Sequence, residues 1–176
     1  MELNLTLEQR LILLNQYKIL KKIYPEEALQ YSIYQEIVSN GYTLHYNDLL
    51  ENMNEPMSKE EMEFVLDILD VYNSLSFAVD KRQEYPSYKN KKIVFPGFDG
   101  NNEYKYIEYM QFYIYKLNRF EALKKDSSLD YNTHGETIDI YKHMIDVWKS
   151  FGNERFNLSD EALQSLIKIS YPNSFL

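Results

Sequence analysis

The sequence predicts an all-α protein: a single multihelical domain of six to seven helices, with at most a very short extended segment near residues 93–95. Three observations predict it. Apolar residues recur at helical spacing along most of the chain, and no segment keeps up the period-2 alternation of a strand. Two capping-box pairs, Thr6 with Gln9 and Ser58 with Glu61, mark helix starts. Pro25, Gly41, Pro56 and Gly152 fall where the periodic stretches end.

The first helix starts behind Thr6. Leu13, Tyr17, Leu20 and Tyr24 share one face, and Ile12, Ile19 and Ile23 widen it. Pro25 stops this helix and suits the first turn of a second, in which Glu26 and Glu27 favour the positive end of the helix dipole. That helix runs to about Asn40, with Gly41 as a left-handed C-cap. Leu44, Leu49 and Leu50 suggest a short helix before Pro56. Ser58 opens a helix over about 59–79. Met62, Val65, Leu66, Leu69 and Tyr72 form one of its stripes; Phe64, Ile68, Val71 and Leu75 form the other. A helix apolar on most of its circumference belongs at the centre of a fold.

Residues 80–100 are the main interruption and the place to cut if the chain divides. DKRQEYPSYKNKK is polar, Ile93–Phe95 reads as extended, and Pro96–Gly97 as a turn. A long helix is expected over about 101–124, a polar loop over 125–135, a helix over about 136–151 ended by Gly152, and a last helix from Ser159 to about Ser170.

Composition removes several functional classes. The 176 residues carry 19 Lys and Arg against 27 Asp and Glu, a net charge of −8, which disfavours a protein that coats duplex nucleic acid. With no cysteine, the chain makes no disulfide, cysteine-ligated zinc site, iron–sulfur cluster or thiol nucleophile. Neither GxGxxG nor GxxxxGK[ST] occurs. No run of 18 apolar residues could span a membrane, and MELNLTLEQR does not read as a signal peptide, so the expected compartment is the cytoplasm.

Four stretches carry a family resemblance. They are RLILLNQYKIL (Arg10–Leu20), LDVYNSL (Leu69–Leu75), FPGFDGNNEYKYIEYMQF (Phe95–Phe112), and NTHG with YKHMIDVW (Asn132–Gly135 and Tyr141–Trp148). Together, and in this order, they resemble the YfbU family of small bacterial proteins. The Lys/Tyr-rich 81–92 loop departs from the family pattern, and the tail beyond Ser170 looks like an extra. The resemblance implies an all-helical, self-associating protein. It brings no reaction, cofactor or catalytic residue with it.

Each candidate site has a bland reading beside a functional one. Asn15, Gln16 and Tyr17 lie inside an apolar run. The two amides either face a partner, or cap a loop or meet solvent. Phe98 and Asp99 precede the long helix, where Asp99 or Asn101 reads as an N-cap. His134, with Asp126, Asp130 and Glu136 nearby in sequence, could act as an acid–base or metal-binding group, but a loop-ordering hydrogen bond is the ordinary role. Glu60, Glu63, Asp67 and Asp70 form an acidic stripe, either a two-carboxylate metal site or docking strip for a basic partner, or, as favoured here, the solvated face of a central helix. Lys81, Arg82, Lys89, Lys91 and Lys92, with Tyr85 and Tyr88, combine charge and rings as single-strand nucleic-acid grips do, and also as any soluble loop does. Tyrosine is abundant, with 17 residues, and tyrosine is enriched in protein interfaces.

The reading is therefore a cytoplasmic, self-associating interaction or regulatory protein without catalytic activity, metal or cofactor. Its partners are expected to be itself and another protein, with Asn15, Gln16, Tyr17, Phe98, Asp99 and His134 as partner-binding residues. A nucleic-acid regulator using the 81–92 loop is the alternative, and a metal-dependent hydrolase comes last. No membrane partner is expected.

Overall fold

Helix-forming periodicity becomes helix at almost every place the sequence predicts. The computed structural model describes residues 3–125, 130–172 and 174. Among them are six α-helices: α1 Leu7–Ile23, α2 Ala28–Asn40, α3 Lys59–Asp80, α4 Tyr104–Gln111, α5 Ile138–Ser150 and α6 Asp160–Ile169. Short 3-10 turns join several of them. Extended pairing among the described residues is limited to isolated bridges, of which Phe98 with Asn132 is one. Contacts divide the chain into two compact units, Met1–Pro56 and Met57–Leu176.

In the first unit, the Thr6 hydroxyl accepts from the Gln9 N–H, and the Gln9 side chain accepts from the Thr6 N–H, so α1 starts on a complete capping box. Pro25–Glu27 forms a 3-10 turn, and α2 begins three residues after Pro25. It ends at Gly41, left-handed with φ 70°, whose N–H donates to the Ile37 carbonyl. Arg10 reaches across from α1 and donates to the carbonyls of Val38 (2.6 Å) and Ser39 (2.7 Å), satisfying acceptors in the last turn of α2. The core is small: Tyr34, Ile37 and Tyr46, flanked by Leu3, Leu5, Tyr17, Tyr31 and Leu49. Residues Thr43–Leu50 form a 3-10 helix rather than an α-helix.

The second unit is built around α3, which starts on the Ser58–Glu61 capping box and packs against α4, α5 and α6. Val65, Ile68, Leu69, Val71, Tyr72 and Leu75 are all fully buried, as a doubly apolar helix requires. Residues 80–100 are not a linker. Tyr88, Ile93, Phe95 and Phe98 are buried in this same core, and the chain divides at Pro56 instead. The expected long helix over 101–124 is also shorter. It begins at Tyr104, because Asp99–Glu103 closes a turn of its own (Glu103 N–H to Asp99 C=O, 2.8 Å). After Gln111 it widens into a π turn, Phe112–Lys116, and it stops where Asn118 (φ 54°) and Phe120 (φ 53°) turn left-handed.

Candidate functional site

The family-like stretches 95–103 and 131–137 meet in the second unit. Phe98 N–H donates to the Tyr131 carbonyl (2.9 Å) and Thr133 N–H donates to the Phe98 carbonyl (3.0 Å), which lays the two loops side by side. Gly97 makes this approach possible. It sits at φ 108°, and a Cβ there would lie 1.9 Å from the Tyr131 carbonyl oxygen. A Cβ at Gly100 would meet the Asn132 amide at 2.5 Å.

Glu103 is the centre of the join, and it is buried. Its carboxylate accepts from Asp99 N–H (2.8 Å), Thr137 N–H (2.8 Å), the Thr137 hydroxyl (2.7 Å) and Ile138 N–H (3.2 Å). One acid thus ties the turn before α4 to the first turn of α5, where free N–H groups and the helix dipole both favour a negative charge. Asn132 bridges the same two loops, accepting from Gly100 N–H and His134 N–H (both 2.9 Å). Tyr141 donates to the Gly97 carbonyl at 2.6 Å, and burial pushes its hydroxyl well above the ordinary tyrosine range. Burial likewise pushes Tyr72 up to about 12. Six of the 17 tyrosines are buried, and the hydroxyls of Tyr72, Tyr131 and Tyr141 are hydrogen-bonded to Ser174, the Leu123 carbonyl and the Gly97 carbonyl.

These contacts locate several residues that the sequence singles out. Phe98 is fully buried among Phe64, Phe95, Tyr106 and Tyr141. Asp99 is buried too. It does not cap α4; its oxygens accept from Asn101 N–H (3.2 Å) and the Asn102 amide (2.8 Å) inside the turn. Neither residue offers a surface to a partner, because each is spent on the packing of its own loop. His134 is exposed and left-handed (φ 54°), held through its backbone N–H, with no partner for its ring among the described residues. Asp126 lies outside the described residues, and Asp130 accepts from the Asn132 N–H (3.3 Å). Among the described residues no three His, Asp or Glu side chains converge as metal ligands. The sequence alone does not single out Glu103 or Thr137. A glutamate one residue ahead of a helix gives no sign that it will be buried.

The acidic stripe on α3 is partly paired. Glu63 meets Lys59 at 3.1 Å and Asp67 meets Lys149 at 2.5 Å. In the basic loop, Arg82 donates to Asp160 (2.5 Å) and to the carbonyls of Ala78 (2.9 Å) and Leu158 (2.8 Å). Tyr88 is buried and accepts from Gln164 (2.6 Å), while Lys81 lies over the Phe77 ring. Lys89, Lys91 and Lys92 keep exposed side chains. The loop's arginine and one of its two rings are therefore committed to holding α3 against α6.

The first unit differs. α1 buries no residue completely. Arg10, Leu13, Leu14, Tyr17 and Leu20 are half-buried, with Tyr17 packed on Tyr34 (5.3 Å) and Tyr31 (6.2 Å). Asn15 and Gln16 are exposed on the opposite side. Around them Leu7, Leu11, Ile12, Ile19 and Ile23 are each more than half exposed, a concentration of apolar surface on one helix.

No helix of the structure is long and apolar enough to cross a membrane among the described residues. A family profile described as the YfbU domain matches residues 3–169, which leaves the tail outside it. The UPF0304 protein MJECS11 of Methanocaldococcus jannaschii is 30% identical over 163 residues, covering 90% of this chain and 96% of that protein. With both loops of the Gly97–Glu103 join inside the matched span, the chain belongs to the YfbU family.

Proposed function

We propose that this protein is a self-associating cytoplasmic interaction protein, which acts by holding another macromolecule rather than by catalysis. One observation carries the reading: the apolar outer face of α1, with Leu7 at 71% exposure and Leu11, Ile12, Ile19 and Ile23 close behind. The buried polar groups of the second unit point the same way. Asp99, Glu103 and Thr137 hold one another and their loops, so their hydrogen-bonding capacity is used in building the fold. Of the residues the sequence put forward as partner-facing, Asn15 and Gln16 are the ones set amid such a surface. The nucleic-acid reading has less support, since Arg82 and Tyr88 are occupied within the chain.

The test is the native mass spectrum of the untagged, full-length protein. A dimer or higher oligomer without added mass is the expected result. A monomer, or a species that retains a metal ion or small molecule, would overturn the reading.

A further inference from the structure

We infer that the outer face of α1 is a two-fold self-association surface, on which a second copy of this chain crosses antiparallel with Asn15 at the axis. The inference deepens the self-association reading and rests on it.

Leu7, Leu11, Asn15, Ile19 and Ile23 are each four residues apart, and in an α-helix such residues form one continuous ridge. Asn15 is its midpoint. At about 100° per residue, Leu11 and Ile19 lie symmetrically at about 40° to either side of Asn15, and Leu7 and Ile23 at about 80°. All four apolar members are at least 58% exposed, and the face turned away, which carries Leu13, Tyr17 and Leu20, is the one packed in the first unit. Because the apolar positions lie symmetrically about Asn15, a two-fold axis there sets Leu11 of each copy against Ile19 of the other and Leu7 against Ile23, the reciprocal pairing of an isologous interface. Two such ridges interdigitate when their helices cross.

Charge fixes the direction. Glu8 and Lys22 are both exposed, seven residues before and after Asn15, at about 20° to either side of it. In an antiparallel pair, Glu8 of one copy meets Lys22 of the other, twice. A parallel pair would set Glu8 against Glu8 and bring together Lys18, Lys21 and Lys22 of both copies, which repel. Beside the C-terminal half of the ridge, Lys18, Ile19, Lys21, Lys22, Ile23 and Gln35 line an open groove. Leu7 and Leu11 of the second copy enter there.

The polar residue at the centre then has a purpose. An Asn amide offers a donor and an acceptor, so two Asn15 side chains facing each other across the axis satisfy one another. A single buried Asn pair costs stability but penalises every shifted register, because a shift strands both amides against apolar side chains. This is the physical reason to find an amide at the midpoint of a Leu/Ile ridge.

The experiment uses the full-length protein and Asn15→Cys. The natural chain has no cysteine, so any disulfide formed by this variant must join two copies. Two thiols at a two-fold axis come within disulfide range. Mild oxidation with glutathione disulfide is therefore expected to convert most of Asn15→Cys into a covalent dimer on a non-reducing gel, while Ser165→Cys, exposed on α6 and away from α1 in sequence and unit, stays a single chain. Leu11→Glu with Ile19→Glu should give a monomer of unchanged helicity. Glu8→Lys and Lys22→Glu should each weaken the dimer by roughly tenfold, and the two together should restore it.

A dimer by native mass that neither cross-links as Asn15→Cys nor dissociates on Leu11→Glu/Ile19→Glu would overturn the α1 face and leave self-association standing. A wild-type monomer would overturn both, whether the thiol of Asn15→Cys were then open to a maleimide or shielded by the rest of the chain.

Discussion

Met57–Leu176 encloses a large apolar core and a buried polar cluster, whereas Met1–Pro56 encloses a small core and leaves the outer face of α1 exposed. The larger unit buries α3 nearly all round and gives Glu103 four donors. The smaller unit buries four apolar residues, Tyr34, Ile37, Val38 and Tyr46, and α1 contributes no fully buried residue to it. The difference follows from size. A short chain cannot cover both faces of two helices with its own residues, so one face stays open or is covered by something else. In a chain of this design, interior polar chemistry is a matter of folding, and the exposed apolar helix is the surface on which the proposed self-association rests.

The sharpest way to break that contrast is to remove the clasp of the larger unit. Glu103→Ala strands the N–H groups of Asp99, Thr137 and Ile138 and leaves a small cavity. The cost should be about 3–5 kcal/mol, because three backbone N–H groups and the Thr137 hydroxyl lose their charged acceptor together. Circular dichroism melting should show a fall of roughly 10 °C or more. A variant that melts with the wild type would show that the carboxylate does not hold the two loops.

Gly97→Ala comes next and has an internal control. A methyl at Gly97 runs into the Tyr131 backbone in a left-handed conformation, whereas Gly152, also left-handed at φ 57°, has nothing within 4 Å of the added Cβ. Gly97→Ala should cost about 2–4 kcal/mol and Gly152→Ala about 1 kcal/mol, in urea unfolding followed by Trp148 fluorescence. Equal costs would mean that backbone conformation, and not the close approach of the loops, is what Gly97 provides.

Arg10→Ala probes the smaller unit. It removes two charged hydrogen bonds to the last turn of α2, for about 1–3 kcal/mol. Hydrogen exchange should quicken over α1 and α2 and stay unchanged over α3–α6. Faster exchange across the whole chain would instead show that the two units unfold as one.

The sequence makes the helices legible because capping boxes and apolar periodicity are local signals. Thr6–Gln9 and Ser58–Glu61 form the bonds their spacing predicts, and Ser159 caps α6. The candidate residues are less legible because their roles depend on pairings far along the chain. Phe98 and Asp99 read as surface near a helix start, but Tyr131–Thr133, more than thirty residues on, covers them. The same distance hides Glu103, whose partner Thr137 is 34 residues away. Residues 80–100 look like a linker by composition, since five cations mask the few apolar residues that anchor the segment. The Asn15 ridge is in plain view as spacing, but only the exposure of α1 separates an outer face from a core face.

The smallest effect tests how complete the closure of the larger unit is. Asp70 on α3 is half-buried, and its carboxyl is raised above the ordinary 3.8, first by burial and then by the neighbouring Asp67, with Arg155 opposing. A raised carboxyl binds its proton more tightly in the folded chain than in the unfolded one. As pH climbs past 3.8 the unfolded chain ionises first, so stability falls until the folded group ionises as well, and then holds constant. Asp70→Asn removes that penalty while keeping the shape. Because the group is partly exposed, solvent screening limits the gain at neutral pH to about 0.3 kcal/mol. Urea unfolding at pH 7 should show Asn slightly ahead, and the two proteins should converge below about pH 3.8, where Asp70 is neutral in both states. An advantage that persists in acid would come from packing rather than charge. A loss at pH 7 would show that Arg155 outweighs burial, and would make Asp70 one more satisfied group of the closed unit.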